Sequence, residues 1–305
     1  MANEILTPSK IAQAALATLY EVTIGAQLVH RDYDTEFVAK VGDTITVRKP
    51  AVFEAKEYDP ATGIEIQDAK ENGVPVTLNH FADTSFAVTA KDLTLKLENF
   101  REQLLDPAME SIAQKIDRDL FKEFRAGITQ SVGVKAGREW NKPEALIDAG
   151  TILNVNSVPT TDRHAVVGPQ TNGEWLDAPI LKQANTSGST EALREAYVGR
   201  RLFGFDPYWS QHIEQPATNP AVGQPTTEVG VAFHRTAVAL VTRQLELPMG
   251  ATNAAIASYK GFGVRVVIGY DQKFKKDVVS IDTLYGIKVL DAKRAVLIKG
   301  ADKAA

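Results

Sequence analysis

Several features common in secreted, membrane and metal-binding proteins are missing from this chain of 305 residues. It contains no cysteine, which excludes disulfide bonds and thiolate metal sites. No apolar run approaches the roughly 18 residues of a membrane-spanning helix. The opening MANEILTPSK places Glu4 and Pro8 where a secretory signal would carry a basic patch and an apolar stretch. These absences predict a cytosolic product without a membrane partner.

A large charge of one sign is also absent. The chain has 34 Lys and Arg against 38 Asp and Glu, a formal net charge of −4. A protein that grips duplex DNA directly usually shows a basic stripe, but the densest basic group here is Lys273, Lys275 and Lys276. The balance gives no overall attraction to nucleic acid or anionic membrane. The length supports two compact domains, or one domain with long extensions.

Motifs for catalysis, cofactor binding and metal binding are missing too. Five histidines are scattered without the spacing of a helical metal-binding pair: His30, His80, His164, His212 and His234. Gly261-Phe262-Gly263 lacks the third glycine and the following helix of a phosphate cradle. Asp117 and Asp119 are predicted to lie on or near the polar side of a long helix. We therefore predict no catalytic, cofactor-binding or metal-ligating residue, no cofactor, and no enzyme activity.

The N-terminal segment at 7–29 is predicted to be a helix followed by an irregular arm. Thr7 can cap this helix, and Pro8 suits its first position. A narrow apolar stripe needs a partner surface to bury useful area: Ile11, Ala15, Leu19 and Val22. The helix is either an ordinary surface helix or an arm that packs on a neighbouring subunit.

A long, charged, strand-like excursion follows at residues 41–90. Alternating side chains predict an outgoing strand at 44–49 and a returning strand at about 74–89. Turn signals lie between them: Asp59-Pro60, Thr62-Gly63 and Asn72-Gly73. The charged tip cannot form a core of its own, and loops of more than about 15 residues in compact domains are usually functional or disordered. Its strand character favours a functional hairpin.

The segment from Asp106 to Gly127 predicts the clearest helix of the chain. Asp106 is a suitable cap and Gly127 a suitable stop, and an apolar stripe runs along about five turns: Met109, Ile112, Ile116, Leu120 and Phe124. The remaining chain predicts a helix near 142–155, a buried strand at 163–169, a turn-rich region at 170–226 with a helical insert at 189–198, strand and short helix at 228–243, and a β-rich tail.

This order of elements, with the residues of six segments, resembles the major capsid proteins of tailed bacteriophages. The closest resemblance is to the coat-protein family of short-tailed Salmonella phages. The segments span most of the chain: LVHRDYDTEFVAKVGDTITVRKP (28–50), DPAMESIAQKIDRDL (106–120), PTTDRHAVVGP (159–169), GRRLFGFDPYWS (199–210), VAFHRTAVALVTRQLELP (231–248) and SIDTLYGIKVLDAKRAVLI (280–298).

The resemblance implies an α+β capsid fold of the Hong Kong 97 type. Its parts would be an N-terminal arm (1–40), an extended β-hairpin loop that reaches over a neighbouring subunit (41–90), a peripheral domain (91–142) with a spine helix (107–126), an axial domain (143–260), and peripheral strands with a final axial strand (261–305). The span 170–226 is too short for the large inserted domain of the typical coat, so none is expected.

The resemblance also implies a function. The chain would be a major capsid protein that self-assembles into hexamers and pentamers of an icosahedral shell, which encloses double-stranded DNA without sequence-specific binding. Its partners would be further copies of itself, a scaffolding protein and a portal during assembly in the host cytoplasm, and a decoration protein in the virion. Some relatives join subunits by a Lys–Asn isopeptide bond. Lys56 and Lys70 lie on the loop, but no acceptor or catalytic residue matches, so no cross-link is predicted.

Inter-subunit contacts are predicted for charged residues at the end of the arm and on the hairpin: Arg31, Asp32, Arg48, Lys49, Glu54, Lys56, Glu57 and Asp59. For each of them, a solvated charge is the alternative. Other functions remain open for the whole chain: an encapsulin-like shell around cargo, a small-molecule-binding α/β protein or enzyme, and a tail-tube or fibre protein. The strong central helix argues against the last of these.

Overall fold

A computed structural model shows a protein of helices and two five-stranded sheets. It describes residues 8–31, 44–48, 73–88, 104–182, 201–243, 245–248, 250, 253–259, 262–271 and 276–304. Within these ranges, no helix has both the length and the apolar character needed to cross a membrane. The mixed α+β class predicted from the sequence is confirmed.

The longest helix agrees closely with its predicted bounds of 107–126. The helices are α1 (Pro8–Val22), α2 (Gly25–Leu28), α3 (Asp106–Gly127), α4 (Ala145–Val155), α5 (Pro169–Asp177) and α6 (Pro179–Lys182). Asp106 is the first helical residue of α3 rather than its N-cap, which is Leu105. The Asp106 carboxylate accepts a hydrogen bond of 2.8 Å from the Thr18 hydroxyl of α1.

The first sheet is built around one long strand. Its strands are β3 (His80–Val88), β10 (Val238–Arg243), β11 (Asn253–Tyr259), β12 (Phe262–Asp271) and β13 (Lys276–Val289). β10 and β12 both pair with β13, and β11 pairs with β12. β3 pairs with β13 over residues that also pair with β12, so the two partners lie on opposite edges of β13. All these pairings are antiparallel.

The second sheet has the order β4-β14-β9-β7-β8. Its strands are β4 (Ser131–Val132), β7 (Arg163–Val167), β8 (Asp206–Trp209), β9 (Gly230–His234) and β14 (Ala295–Ile298). β4 and β8, at the two ends, each pair in parallel with their neighbours. Two short ribbons complete the described strands: β1 (Thr44–Arg48) with β2 (Gly73–Thr77), and β5 (Val134–Lys135) with β6 (Arg138–Glu139).

The returning half of the hairpin is two strands rather than the single predicted strand at 74–89. β2 pairs with β1, whereas β3 pairs with β13 of the first sheet. The chain changes partner at Leu78 and Asn79, which lie between the strands. Leu78 is fully buried. The hairpin is therefore fastened to the first sheet at its base by the strand that continues from it.

The span predicted as axial, 143–260, contains strands of both sheets, because β10 and β11 pair with β13 and β12 of the first sheet; the change of sheet falls at about residue 237. The bounds of the domains stay a prediction. One other expectation needs correction. The region at 170–226 was predicted as turn-rich loop, but α5 occupies its start. The helical insert predicted at 189–198 and the Thr7 cap lie outside the described residues.

Most of the apolar core lies between the helices and the first sheet. α3 buries its predicted stripe there, and α1 packs against α3, β11 and β12. Ile11, Ala15 and Leu19 of α1 are fully buried, so this stripe is covered by the chain itself rather than left for a neighbouring subunit. A second cluster lies between α4, α5 and the second sheet. A third joins the hairpin base to β10 and β13.

The two sheets are joined by two chain crossings that are bonded to each other. One crossing, at Arg235–Ala237, leads from β9 to β10, and the other, at 290–294, leads from β13 to β14. The Leu290 amide donates to the Ala237 carbonyl at 2.8 Å. The Arg294 guanidinium donates to the Thr236 hydroxyl at 2.6 Å. These bonds fix where the chain changes from one sheet to the other.

Gly286 provides a test of the contact between β13 and the hairpin base. A Cβ at this position would lie 2.4 Å from the Thr77 carbonyl oxygen, whereas a Cβ at Gly269 would meet nothing within 4 Å. We expect Gly286→Ala to lower the free energy of unfolding by about 1–3 kcal/mol, because backbone must move to admit the methyl group. Gly269→Ala should leave it unchanged or raise it by up to about 1 kcal/mol. Urea denaturation measures both, and equal values for the two variants would contradict the proposed close approach.

Candidate assembly surfaces

The predicted interface residues lie mostly outside the described ranges. Asp32, Lys49, Glu54, Lys56, Glu57 and Asp59 are not described, and Arg48 is described only as the last backbone position of β1. Arg31 is partly buried and follows His30, which bridges to Ala239 at the edge of β10. The inter-subunit role of these eight residues stays a prediction.

The base of the hairpin is well defined. β1 and β2 pair from Thr44 with Thr77 to Arg48 with Gly73. Val47 and Val76 are buried with Leu284 and Leu290 in the cluster beneath the hairpin. The ends of β1 and β2 therefore lie side by side at Arg48 and Gly73, and residues 49–72 connect them in sequence.

The composition of that intervening segment is acidic. Residues 49–72 contain six carboxylates and three lysines: Glu54, Glu57, Asp59, Glu65, Asp68 and Glu71 against Lys49, Lys56 and Lys70. Charges at the rim of an interface steer association and select partners more than they add affinity. The segment is therefore suited to a surface of opposite charge.

The prediction of a polar position for Asp117 is wrong. Asp117 is fully buried on α3, where its carboxylate accepts hydrogen bonds from the backbone amides of Ile24 (3.1 Å) and Ala26 (3.2 Å). The ring Nδ1 of His212 lies 3.3 Å from Oδ2, the same carboxylate oxygen that accepts the Ile24 amide. A buried carboxylate must be paired or hydrogen-bonded. Asp117 therefore fixes the start of α2 and the 210–213 segment against α3.

Asp119, two residues further along the helix, connects α3 to the first sheet. It accepts a hydrogen bond of 2.6 Å from the Tyr285 hydroxyl of β13 and one of 3.2 Å from Lys115. The Tyr285 ring stacks on His80 of β3, with ring centroids 5.1 Å apart. Burial, reinforced by the bond to Asp119, raises the pKa of Tyr285, so the tyrosine stays protonated and donates to the carboxylate.

Glu228 is a second buried carboxylate that the sequence did not reveal. It is fully buried just before β9 and accepts hydrogen bonds from the amides of Gln170 (3.1 Å) and Thr171 (3.0 Å). Those amides are unsatisfied donors in the first turn of α5, and Gln215 donates to the same carboxylate. Negative charge at a helix N-terminus is stabilising, so Glu228 joins α5 to the second sheet.

A cleft of about 420 Å³ lies beside α3 and tests the enzyme alternative. Arg118, Lys122 and His212 line it among others. Ser210 is close in sequence, but its hydroxyl accepts a hydrogen bond from the backbone amide of His212, and no described contact joins it to the imidazole ring. The nucleophile–base bond of a hydrolytic triad is thus missing among the described contacts. Among the residues that the structure describes, no group of three or more His, Asp or Glu side chains could hold a metal ion.

Three aromatic side chains are exposed at one end of the second sheet, and two of them, Tyr208 and Trp209, are successive residues of β8 and so point to opposite faces of the sheet. Phe203, Tyr208 and Trp209 are 37%, 40% and 46% exposed; we call them the aromatic edge. β8 is the last strand on this side of the sheet in the described part of the chain. Tyr and Trp are enriched in protein interfaces because one large side chain buries much area there.

Phe203, in the turn before β8, has an unfavourable backbone conformation. Leu202 and Phe205 exchange two backbone hydrogen bonds of 2.8 and 2.9 Å, and Phe203 and Gly204 between them both have positive φ, at 49° and 88°. A residue with a bulky side chain rarely adopts this conformation, and the strain costs about 1 kcal/mol or more. Asparagine or glycine would suit the position better. Such strain in an exposed residue is a pointer to function.

The opposite end of the second sheet is concave. A groove of about 320 Å³ lies between residues 131–135 and the facing side of α4, including Thr151. Val134 is 62% exposed at its rim, and Val155 is 79% exposed one turn beyond Thr151 on the same helix face. We call this the valine groove. Lys135 and Arg138 both approach its one carboxylate, Asp148.

Two histidines on adjacent strands give the second sheet a dependence on pH. Burial lowers the pKa of His164 on β7, against the opposing effects of Asp206 and Asp162. Burial also lowers the pKa of His234 on β9, with Arg294 adding to the effect. Both rings are therefore harder to protonate in the folded protein than in the unfolded chain.

The structural role of Asp117 can be measured by one substitution and a control. We expect Asp117→Asn to lower the free energy of unfolding by about 2 kcal/mol, because charge-assisted hydrogen bonds to buried amides are weakened. Glu123→Gln, at a half-buried position on the same helix, should change it by no more than about 0.5 kcal/mol. Denaturant titration followed by circular dichroism distinguishes them. A neutral Asp117→Asn would mean that the carboxylate does not anchor α2.

The two histidines predict loss of stability on mild acidification. As the pH falls from about 7.5 to 5.5, the unfolded chain takes up protons near the ordinary histidine pKa of about 6.5, while the folded protein resists. The free energy of unfolding should therefore decrease across this window. A double variant, His164→Gln with His234→Asn, should show a smaller decrease. Denaturation curves at several pH values measure the two slopes, and equal slopes would contradict the assignment.

Comparison with known proteins gives a likeness in structure alone. No protein-family model and no curated protein sequence matches the chain. Its structure is similar to a protein of Mycobacterium phage Che8, with a TM-score of 0.65, 20% identity and 90% of each chain covered. It is also similar to the mature capsid of bacteriophage PhiM1, with a TM-score of 0.55, 17% identity and coverage of 90% and 91%.

A third similar structure is the virus-like particle from Pyrococcus furiosus, with a TM-score of 0.52, 13% identity and coverage of 95% and 98%. The likeness in each case runs over nearly the whole of both chains. Capsid and particle shells are built from structural proteins rather than enzymes. The fold of this chain is therefore the fold of bacteriophage capsid and particle-shell proteins.

Proposed function

We propose that the chain is a major capsid protein of a tailed bacteriophage, a subunit that self-assembles into hexamers and pentamers of an icosahedral shell around double-stranded DNA. The observation that carries the proposal is the likeness to phage capsid structures over 90% or more of the chain. Its fold would be of the Hong Kong 97 type, and the coat family of short-tailed Salmonella phages is the finer placement that we propose from the six resembling segments.

The hairpin would extend over a neighbouring subunit. Its base is paired and buried on the first sheet, so an extension from it has a fixed direction of departure. An obligate interface often buries more than about 2,000 Å², and an extended segment adds area to a neighbour at little cost in core. The eight charged residues from Arg31 to Asp59 would lie at the rim of this contact, where they would set register and partner choice.

If the chain forms a phage shell, its assembly partners and its location follow. Assembly would take place in the bacterial host cytoplasm with a scaffolding protein and a portal, and the finished protein would reside in the virion with a decoration protein. The acidic balance of the chain, −4 overall, suits a wall that encloses DNA without gripping it, because a strongly basic interior would resist packaging and release. We propose no cofactor and no covalent cross-link.

A second candidate is a shell around protein cargo. The virus-like particle from Pyrococcus furiosus shares the fold over as much of the chain as the phage capsids do, so the fold by itself is compatible with either content. The two candidates share a fold and an assembly reaction, and they differ in what the particle contains. Nucleic acid within purified particles supports the phage capsid, whereas a single co-purified protein supports the cargo shell.

The proposed function predicts the size and the contents of the assembled protein. Expressed with the genes that neighbour it, the chain should form closed particles in negative-stain images, and light scattering of the same fraction should give a mass of many subunits. Extraction and nuclease treatment then identify nucleic acid or protein inside. A homogeneous monomer or dimer under this co-expression would overturn the shell for either content.

The hairpin can be removed without removing its base. In one variant, residues 49–72 are replaced by Asn-Gly, which suits a two-residue turn between β1 and β2. In a control, the same residues are replaced by glycine and serine at equal length. Both should fold, with melting temperatures near that of the wild type, and neither should form closed particles. Normal particles from the Asn-Gly variant would show that assembly does not need residues 49–72 of the hairpin.

A further inference from the structure

The cleft beside α3 carries positive charge that is not neutralised within the described part of the chain. Arg118 and Lys122 line this cleft of about 420 Å³, and both residues are exposed. No described carboxylate oxygen lies within 4.0 Å of the charged nitrogens of either side chain. We call this surface the α3 cleft and these two residues its free cations.

Two carboxylates also line the α3 cleft, and both are bound. Asp119 accepts hydrogen bonds from Lys115 at 3.2 Å and from Tyr285 at 2.6 Å. Glu214 is bound by Arg125 at 2.8 Å. Each of these carboxylates already has a cation of its own, so the charge of the two free cations is left over.

Two more carboxylates belong to the same part of α3 but do not line the cleft. Asp117 is fully buried and is held by two backbone amides and His212. Glu123 is half-buried. Apart from the buried Asp117, the cleft and residues 115–125 therefore carry four cations against three carboxylates. The excess is small in total, and it is concentrated at the two free cations.

The two free cations lie on the same side of the helix, because they are four positions apart. Like charges at this spacing repel and destabilise a helix. No carboxylate among the described residues offsets this repulsion, whereas an anion bound between the two side chains would remove it. The pair therefore favours an anionic ligand.

The spacing of the free cations suits a row of phosphates. Four helical residues advance about 6 Å along the helix axis, and one strand of duplex DNA carries a charge about every 3.4 Å. Neighbouring phosphates of one strand thus lie within reach of both long side chains. The arginine fork donates to two oxygens of one phosphate, and the lysine ammonium attracts the next as a point charge.

We propose that the α3 cleft binds the phosphate backbone of DNA through Arg118 and Lys122. The inference rests on the proposed function, which places double-stranded DNA inside the shell, and it deepens that function by naming where the wall contacts the DNA. Phosphate contacts carry no sequence information. Two contacts per copy are weak, and the net charge of −4 opposes wider attachment, so the DNA is touched by many copies without being held tightly by any one.

Salt dependence counts the phosphate contacts directly. Each contact that is lost reduces the slope of log binding constant against log salt concentration by about one. A double variant, Arg118→Gln with Lys122→Gln, should therefore bind a short labelled duplex with a slope smaller by about two. Fluorescence anisotropy of the duplex with unassembled protein measures both slopes. A wild-type chain that does not bind the duplex at low salt, or an unchanged slope in the variant, would overturn the proposal.

A matched control removes the same amount of charge elsewhere. Lys288 and Lys293 are exposed, and no described carboxylate lies within ion-pair distance of either ammonium group. Lys288→Gln with Lys293→Gln should leave the slope as it is in the wild type. An equal reduction in both double variants would mean that the duplex responds to the charge of the whole chain, and it would overturn the α3 cleft as the site.

Two further measurements distinguish DNA from other anions. Calorimetric titration with inorganic phosphate at constant ionic strength tests a free anion, and phosphate binding without duplex binding would overturn the nucleic acid. The cleft variant should fold with an unchanged or higher melting temperature, because a like-charge repulsion is removed, and it should still form closed particles. Loss of assembly with an unchanged duplex slope would assign the cleft to a protein partner, such as the acidic segment 49–72 of another copy, and would also overturn the proposal.

These outcomes separate the inference from the proposed function. Wild-type particles together with equal slopes for wild type and cleft variant would leave the shell in place and remove the DNA contact. A reduced slope in a chain that forms no particles would keep the contact and remove the shell. Particles together with the reduced slope support both.

Discussion

Strand β13 is the constraint on which the rest of the structure depends. Its fourteen residues pair with β12 and β10 along one edge and with β3 along the other. The hairpin base approaches it at Gly286, where the Thr77 carbonyl leaves no room for a side chain. Tyr285 binds α3 through Asp119, and Leu290, just past the strand, binds the crossing at Ala237. Of these partners, β3 is far from β13 in sequence, and such non-local pairing is typical of slow-folding topologies.

The buried ionisable groups among the described residues join one structural element to another. Asp117 accepts amides from the start of α2, and Glu228 accepts amides from the start of α5. Arg265 binds Asp282 on the neighbouring strand at 2.7 Å, although burial raises the pKa of Asp282 against this pairing. Buried charge contributes little net stability when paired and costs much when a partner is lost. Such pairs favour one arrangement over its alternatives, which is what a subunit that must match its neighbours requires.

The sequence predicted what depends on local periodicity and missed what depends on distant partners. The apolar stripe and end residues of α3, the buried strand at β7 and the β-rich tail all follow from spacing alone. The burial of Asp117 could also be predicted from spacing, since the residue lies four positions from Ala113 and from Phe121, which are both buried on the same side of α3. Its charge instead led to the prediction of a polar position. The helix α5 could not be predicted from the local sequence, because the carboxylate that accepts its first amides belongs to Glu228, far along the chain. The assignment of β3, β10 and β11 to the first sheet likewise depends on pairing that no local pattern contains.

A shell subunit must be rigid enough to keep its shape and adaptable enough to occupy rings of five and of six. In this chain the rigid part is the first sheet with α1 and α3, whose apolar stripes are buried within the chain. The proposed contact lies at the hairpin, whose base is held by a separate apolar cluster, so that the contact can adjust to either ring while the packing of α1 and α3 on the first sheet is unchanged.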